Sequence, residues 1–281
     1  MKKHGFKINM KYLSIFITTL LLIALTGCLS QTTKKGAVGI EREQLLLISP
    51  TQMNEGGKQA YNAVLKEAQK THTLMDPNSH IVQRVRRIAN RIIPQTAVFR
   101  KDAPQWDWEV NVIKSDQLNA WAMPGGKIAF YTGIIEKLNL TDAEIAAIMG
   151  HEIAHVLREH GRERASRQTL TQVGLSALSI FTGVRGPALD ATALAFQVTL
   201  TLPNSRTHEI ESDRIGVELA ARAGYNPYAA VNVWKKMAAQ SKGGSPPQIL
   251  STHPSHKNRI KDLNKYAKRV EPLFEAAMKR R

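Results

Sequence analysis

His151 and His155, four residues apart with Glu152 beside the first, form the pattern H-E-x-x-H, and no other stretch of the chain is better suited to chemistry. On an α-helix, residues four apart differ by about 40° in azimuth and about 6 Å along the axis, so both imidazoles reach one metal ion from the same face. A zinc ion held by three protein ligands keeps a further position for water and lowers that water's pKa to about 7. Glu152 lies beside that position, where a carboxylate can take the proton.

Two histidines leave such a site incomplete. A third histidine six residues after the second would finish it, but that position is Gly161. His160, five past His155, is about 140° around an uninterrupted helix and is expected to point away. A second helix is expected over 206–223, stopped by Gly224 and Pro227. Within it Glu209 and Asp213 are four apart and share a face, whereas Glu211 sits about 200° from Glu209 and faces elsewhere. Glu209 is therefore read as the third ligand. Asp213 is read as the carboxylate that accepts the free ring N–H of a liganding histidine and fixes its tautomer. The plainer account of this acidic cluster, above all of Glu211, is a solvated first turn favoured by the helix dipole.

The elements that must carry these residues are also marked. Thr141 and Glu144 form a capping box, and Ile145, Ile148, Met149, Ile153, Val156 and Leu157 recur at helical spacing, which predicts a buried helix under the two histidines. Gly150 is costly in a helix interior and is read as letting another backbone approach the metal. Upstream, helical patterns run over 52–70 and 79–93. Alternation then predicts strands at 106–113, 118–123 and 127–131, the last two joined through Pro124, Gly125 and Gly126. The expected fold class is α+β and mostly helical: a zinc-binding helix bundle with a small mixed β-sheet before the H-E-x-x-H helix. Residues 169–202 are apolar, interrupted only by Arg185 and Asp190, and read as two hydrophobic helices joined at 183–187; neither half is long enough to span a bilayer. They serve as core packing, as a shelter for the site, or as a surface for lipid or exposed hydrophobic segments. Asn226 and Pro227 are expected to open a further helix reaching about Gln240, ahead of a Gly/Pro loop.

H-E-x-x-H followed some fifty residues later by E-x-E-x-D resembles the gluzincin zinc metalloendopeptidases of the HtpX, BepA and LoiP type. The resemblance runs over roughly 76–267 and includes Asn119–Gly126, the Ser251-Thr252-His253-Pro254 stretch and Arg259; Ser212 departs from the alanine common in the family. It implies zinc ligands at His151, His155 and Glu209, a catalytic base at Glu152 and a supporting carboxylate at Asp213. It also implies that His253 lies near the zinc, where it caps the metal or assists the transition state. In such peptidases a sheet edge binds extended substrate, for which Asn119 and Ala120 are the candidates.

The N-terminus bears on location. Lys2, Lys3, Lys7 and Lys11 precede an apolar run over 12–25 too short to span a bilayer comfortably, so 1–27 reads as a signal peptide. Leu25-Thr26-Gly27-Cys28 matches the bacterial lipobox, which makes Cys28, the chain's one cysteine, the lipidation site and leaves no disulfide. Leu29, with no aspartate in its place, points to the periplasmic face of an outer membrane. Residues 28–75 are then a lipidated tether and N-terminal helical segment, and 76–281 the metallopeptidase domain with a basic C-terminal helix. Removing residues 1–27 takes away four lysines and no acids, so the formal charge falls from +16 to +12. Export argues against nucleic acid as the partner of that charge and favours anionic membrane surfaces. The expected function is zinc-dependent hydrolysis of peptide bonds in misfolded or misassembled cell-envelope proteins. The rivals are a chaperone-like outer-membrane assembly factor with secondary protease activity and a hydrolase of another envelope polymer.

Overall fold

A computed structural model describes residues 29–182, 190–241, 247–254 and 258–280. The signal segment 1–27, the proposed lipidation site Cys28 and the joint 183–187 lie outside the described residues. The chain enters through two short strands, β1 (Leu29–Ser30) and β2 (Gln44–Leu45), paired antiparallel. Helix α1 (Pro50–Lys70) starts on Ser49, whose side chain and that of Gln52 form a reciprocal capping box with Pro50 in the first turn. Helix α2 (His80–Ile92) buries Val82, Val85, Ile88, Ala89 and Ile92, one apolar stripe at helical spacing. It ends where Pro94 forces a 3-10 turn, Ile93–Val98.

Strands β3 (Glu109–Ile113), β4 (Ala120–Met123) and β5 (Lys127–Tyr131) form one mixed sheet in the order β3-β5-β4. β3 runs parallel to β5 with Val112 opposite Phe130, and β4 runs antiparallel to β5 with Ala120 opposite the same residue. β3 starts three residues later than the alternation from Trp106 predicts. Trp106 ends a 3-10 turn, and the Trp108 indole donates to the Ala103 carbonyl at 2.7 Å, so the tryptophan pair, stacked at 5.6 Å, packs before the ladder begins. The β4–β5 turn uses Gly125 and Gly126, both at φ above +80°. Among the described residues β4 is left as an edge.

After α3 (Thr132–Lys137), the predicted capping box of Thr141 and Glu144 opens α4 (Asp142–Leu157). This helix is buried on nearly all sides, as a central helix must be. It does not continue past Leu157: Glu159 takes a left-handed conformation at φ +49°, and α5 (His160–Thr182) starts in a new direction. α6 (Ala191–Leu200) begins on Asp190, whose carboxylate accepts from the amides of Thr192 and Ala193. The apolar 169–202 region is thus partly a helix pair. Leu194, Ala195 and Val198 pack with Met53 of α1 and Ala165, whereas Leu170 and Phe196 are exposed. Among the described residues no helix is long and apolar enough to cross a membrane.

α7 (Arg206–Arg222) starts on Ser205 and lies directly on α4, while α8 (Ala229–Ser241), α9 (Ile249–Thr252) and α10 (Arg259–Met278) close the far side. α8 begins two residues after Pro227 because the Asn226 side chain accepts from Tyr228 N in a turn that precedes the helix. The α4–α7 contact is made at backbone level. A Cβ on Gly150 would lie 2.6 Å from the Gly216 carbonyl oxygen, and one on Gly216 would lie 2.7 Å from the His151 nitrogen. Gly150 therefore does admit another backbone. Alanine for glycine inside a helix ordinarily stabilises by about 0.5–1 kcal/mol. Here Gly216→Ala is expected to destabilise by about 1–3 kcal/mol through overpacking. Urea unfolding of the metal-free protein measures this, and a raised midpoint contradicts the contact.

Candidate metal centre

The two helices put their polar groups on one point. His151 and His155 project from α4 with their Nε2 atoms 3.0 Å apart. Glu209, in the first turns of α7, brings Oε2 to 3.5 Å from His151 Nε2 and Oε1 to 3.4 Å from His155 Nε2. His253, just after α9, adds Nδ1 at 3.0 Å from Glu209 Oε1 and 3.2 Å from His151 Nε2. All four side chains are buried, and their ligand atoms lie within 4.8 Å of one another. Bonds of about 2.0–2.1 Å around tetrahedral zinc imply ligand–ligand edges near 3.3 Å, the spacing seen here.

The outer ring nitrogens decide what those inner atoms carry. His151 Nδ1 lies 3.0 Å from Asp213 Oδ1, an acceptor, so Nδ1 holds the proton and Nε2 presents a lone pair. His155 Nε2 faces that lone pair and the Glu209 carboxylate. Acceptors gathered this closely in a dry interior repel one another, and a cation at their centre turns the repulsion into binding. The donor set fits zinc.

Arg259 balances the carboxylates. Fully buried, it donates to Glu209 Oε2 at 2.8 Å and Asp213 Oδ1 at 2.7 Å, and its guanidinium lies 3.5 Å over the Trp234 ring. It therefore does not belong to the basic surface of the C-terminal helix with which the sequence groups it. Burial opposes the charge on Glu209, but His253 and His151 overcome it and hold this carboxyl well below the usual range. Burial also pushes His155 well below the ordinary imidazole value, which favours the neutral ligand form. In His253 burial acts the same way, but Glu209 and Glu152 outweigh it and the net shift is upward.

Glu152 is buried, and its Oε1 has no hydrogen-bond partner among the described residues. The nearest cation-forming group is His253 Nε2, 3.6 Å away. Desolvation raises its pKa, so the carboxylate holds a proton more readily than an exposed one. It borders a cleft of about 200 Å³ together with His155, Trp121, Ala122, Pro124 and His253. β4 thus reaches the cleft through Trp121 and Ala122, not through the two residues expected there. Asn119 turns its carbonyl to Tyr131 N at 3.1 Å, and Ala120 is fully buried. On the other side, Ile148, Val233 and Trp234 line a smaller apolar pocket against His151 and Glu152.

His151, Glu152, His155, Glu209, Asp213 and His253 therefore all meet in one place. His160 departs from its expected direction. The left-handed Glu159 ends α4 and brings His160 Nδ1 to 2.9 Å from His155 Nδ1. Glu211 faces away from the metal ligands as its spacing requires, but it is buried and ion-paired with Arg158 and Arg42 instead of solvated. Glu163, His208 and Arg42 complete this second polar cluster, which the sequence reading missed. Its one visible trace is the run of charges over 158–167 at the head of an otherwise apolar region.

Residues 80–267 match the profile of Peptidase family M48. The mitochondrial metalloendopeptidase OMA1 of Bos taurus is 36% identical over 172 residues, which is 57% of this chain and 32% of that protein. OMA1 of Schizosaccharomyces pombe is 33% identical over 178 residues, covering 62% of this chain and 49% of that protein. The beta-barrel assembly-enhancing protease of Escherichia coli is 30% identical over 171 residues, covering 58% and 35%. The aligned parts thus span half or less of these relatives.

Asp213→Ala removes the acceptor that fixes the His151 tautomer. It is expected to weaken zinc affinity by about 10–100-fold while the helical circular dichroism stays unchanged. Chelator competition measures the affinity, and wild-type binding by the variant contradicts the role.

Proposed function

The chain belongs to peptidase family M48, and on that premise we propose that it is a zinc-dependent endopeptidase acting on proteins of the bacterial cell envelope. His151, His155 and Glu209 would hold the ion, with Asp213 and Arg259 orienting and balancing them. The observation that carries the reading is the inward set of lone pairs beside a buried carboxylate with a free oxygen. When bound, zinc supplies Lewis acidity to a water molecule and to the scissile carbonyl. Glu152 takes the proton of the attacking water and passes it to the leaving amine; its raised proton affinity suits both steps. The edge of β4 beside the cleft offers main-chain groups to an extended peptide, which tolerates many sequences.

His253 has its Nδ1 inside the ligand cluster, which supports a resting state in which it takes the fourth position. In that state it would stand where the water is needed and would have to withdraw for cleavage. The envelope location rests on the lipobox ending at Cys28 and on the name of the E. coli relative, the beta-barrel assembly-enhancing protease. Cys28 would carry the lipid, residues 28–75 would lead from it to the peptidase domain, and Lys261, Lys265, Lys268 and Arg269 of α10 would face anionic lipid. A second, chaperone-like role draws support from exposed Phe196 on α6, the helix whose Thr199 borders the cleft. Rescue of an envelope defect by a protease-dead variant would favour that role.

Glu152→Gln is expected to keep zinc and fold and to lose cleavage of an unfolded protein by at least about a hundredfold, whereas His151→Ala loses both metal and activity. Metal analysis and peptide-release assays on purified protein check this, and normal proteolysis by the glutamine variant refutes the mechanism. His253→Ala is expected to raise the rate on a short unstructured peptide several-fold; a fall would instead mean that this imidazole helps the transition state.

A further inference from the structure

We propose that His160 is a positioning residue for His155. In this arrangement its Nδ1 accepts the outer N–H of the ligand, and Glu211 holds it in the one tautomer that can do so. With its Nε2 lone pair directed at the metal position, His155 must carry a proton on Nδ1, and that N–H needs an acceptor in a dry interior. The group facing it is His160 Nδ1, at 2.9 Å. It can accept only if the His160 proton sits on Nε2, and Nε2 lies 2.9 Å from Glu211 Oε2, an acceptor. The Ser212 hydroxyl lies farther from the same Nδ1, at 3.3 Å, and competes for its one lone pair less closely than His155 does.

The carboxylate is itself fixed. Glu211 Oε1 accepts from Arg42 Nε at 2.6 Å and Oε2 from Arg158 Nε at 3.0 Å. Arg42 also grips both oxygens of Glu163 at 2.8 Å. Glu163 in turn contacts His208 Nε2 at 3.2 Å, and the His208 ring stacks on His160 at 4.2 Å and 15°. His160 is thus held at both nitrogens and on one face. His151 reaches a carboxylate directly through Asp213, whereas His155 reaches one through an intervening imidazole. Arg42 lies outside the region that matches the family profile, so the support of His155 depends on the chain's own N-terminal segment.

The inference rests on His155 being a zinc ligand. It is tested by chelator competition for zinc on the full chain and on His160→Leu, His160→Gln and His155→Ala. A glutamine can accept through its oxygen and donate through its nitrogen, whereas leucine can do neither. His160→Leu is expected to weaken zinc affinity by about 10–100-fold and His160→Gln by no more than about threefold. Metal-free urea midpoints should fall in both, because both lose the stacked ring, and further in the leucine variant, which also leaves the His155 N–H and Glu211 without their partner. Wild-type affinity in His160→Leu, or equal losses in the two variants, overturns the role of His160. Wild-type affinity in His155→Ala overturns the ligand assignment instead. If the leucine variant does not fold, ¹⁵N NMR of the zinc-loaded wild type decides. His155 is expected protonated at Nδ1 and His160 only at Nε2, and a proton on His160 Nδ1 overturns the proposal.

Discussion

The contact between Gly150 and Gly216 is the constraint from which the rest of the centre follows. With no side chain between them, α4 and α7 meet backbone to backbone, so close that a Cβ at either glycine would strike the facing main chain. Glu209, Asp213 and Gly216 are spaced by four and three, so ligand, supporting carboxylate and contact residue lie on one stripe of α7 turned toward α4. His151 directly follows Gly150. A wider separation would leave Glu209 on its own helix, short of the imidazoles, and a two-helix metal site would become two unrelated polar faces.

Such a close approach concentrates charge in the interior, and the surroundings offset the cost. An isolated buried carboxylate is strongly disfavoured, and paired charges persist only with nearly all their hydrogen-bonding groups satisfied. Arg259 meets both Glu209 and Asp213, and Trp234 covers its outer face. Behind His155, Arg42 and Arg158 answer Glu163 and Glu211 in the same way. Glu152 differs from these carboxylates: its Oε1 is buried and has no hydrogen-bond partner among the described residues. An unsatisfied group of this kind costs about 1–3 kcal/mol or more, and it belongs to the residue proposed as the proton carrier.

The sequence made the two metal helices legible because their signals are local. The capping box at Thr141, the i,i+4 histidines and the i,i+4 acids of α7 depend only on helical geometry, and the structure keeps all three. His160 stays outside the inner cluster, as its spacing requires, but its direction is not legible from spacing: an unbroken helix turns it away, and the break falls at Glu159, a residue type that rarely takes a positive φ and gives no warning of it. Nor does local spacing show that Arg42 pairs with Glu163, 121 positions away, or that Arg259 leaves the basic surface for the core. The late start of β3 has a similar origin: the alternation at Trp106 and Trp108 is real, but their rings stack on each other before the ladder begins.

The two halves of the candidate ligand set differ in how firmly they are held. His151, His155 and Glu209 sit on long helices with buried flanks, and moving any of them means reopening the α4–α7 contact. His253 sits just past the end of a one-turn helix, tied by its own amide to Ile249 O at 2.8 Å. Asn204 supplies the other tie: its amide and side chain both donate to Thr252 O, at 2.8 and 3.1 Å. Hydrogen bonds of this kind contribute about 0.5–1.5 kcal/mol each net, far less than separating two packed helices. Asn204 also accepts from Arg164, which reaches across to the Val198 carbonyl of α6 at the edge of the cleft. His253 is thus fastened to the part of the fold that borders the cleft, while His151, His155 and Glu209 are fastened to the core.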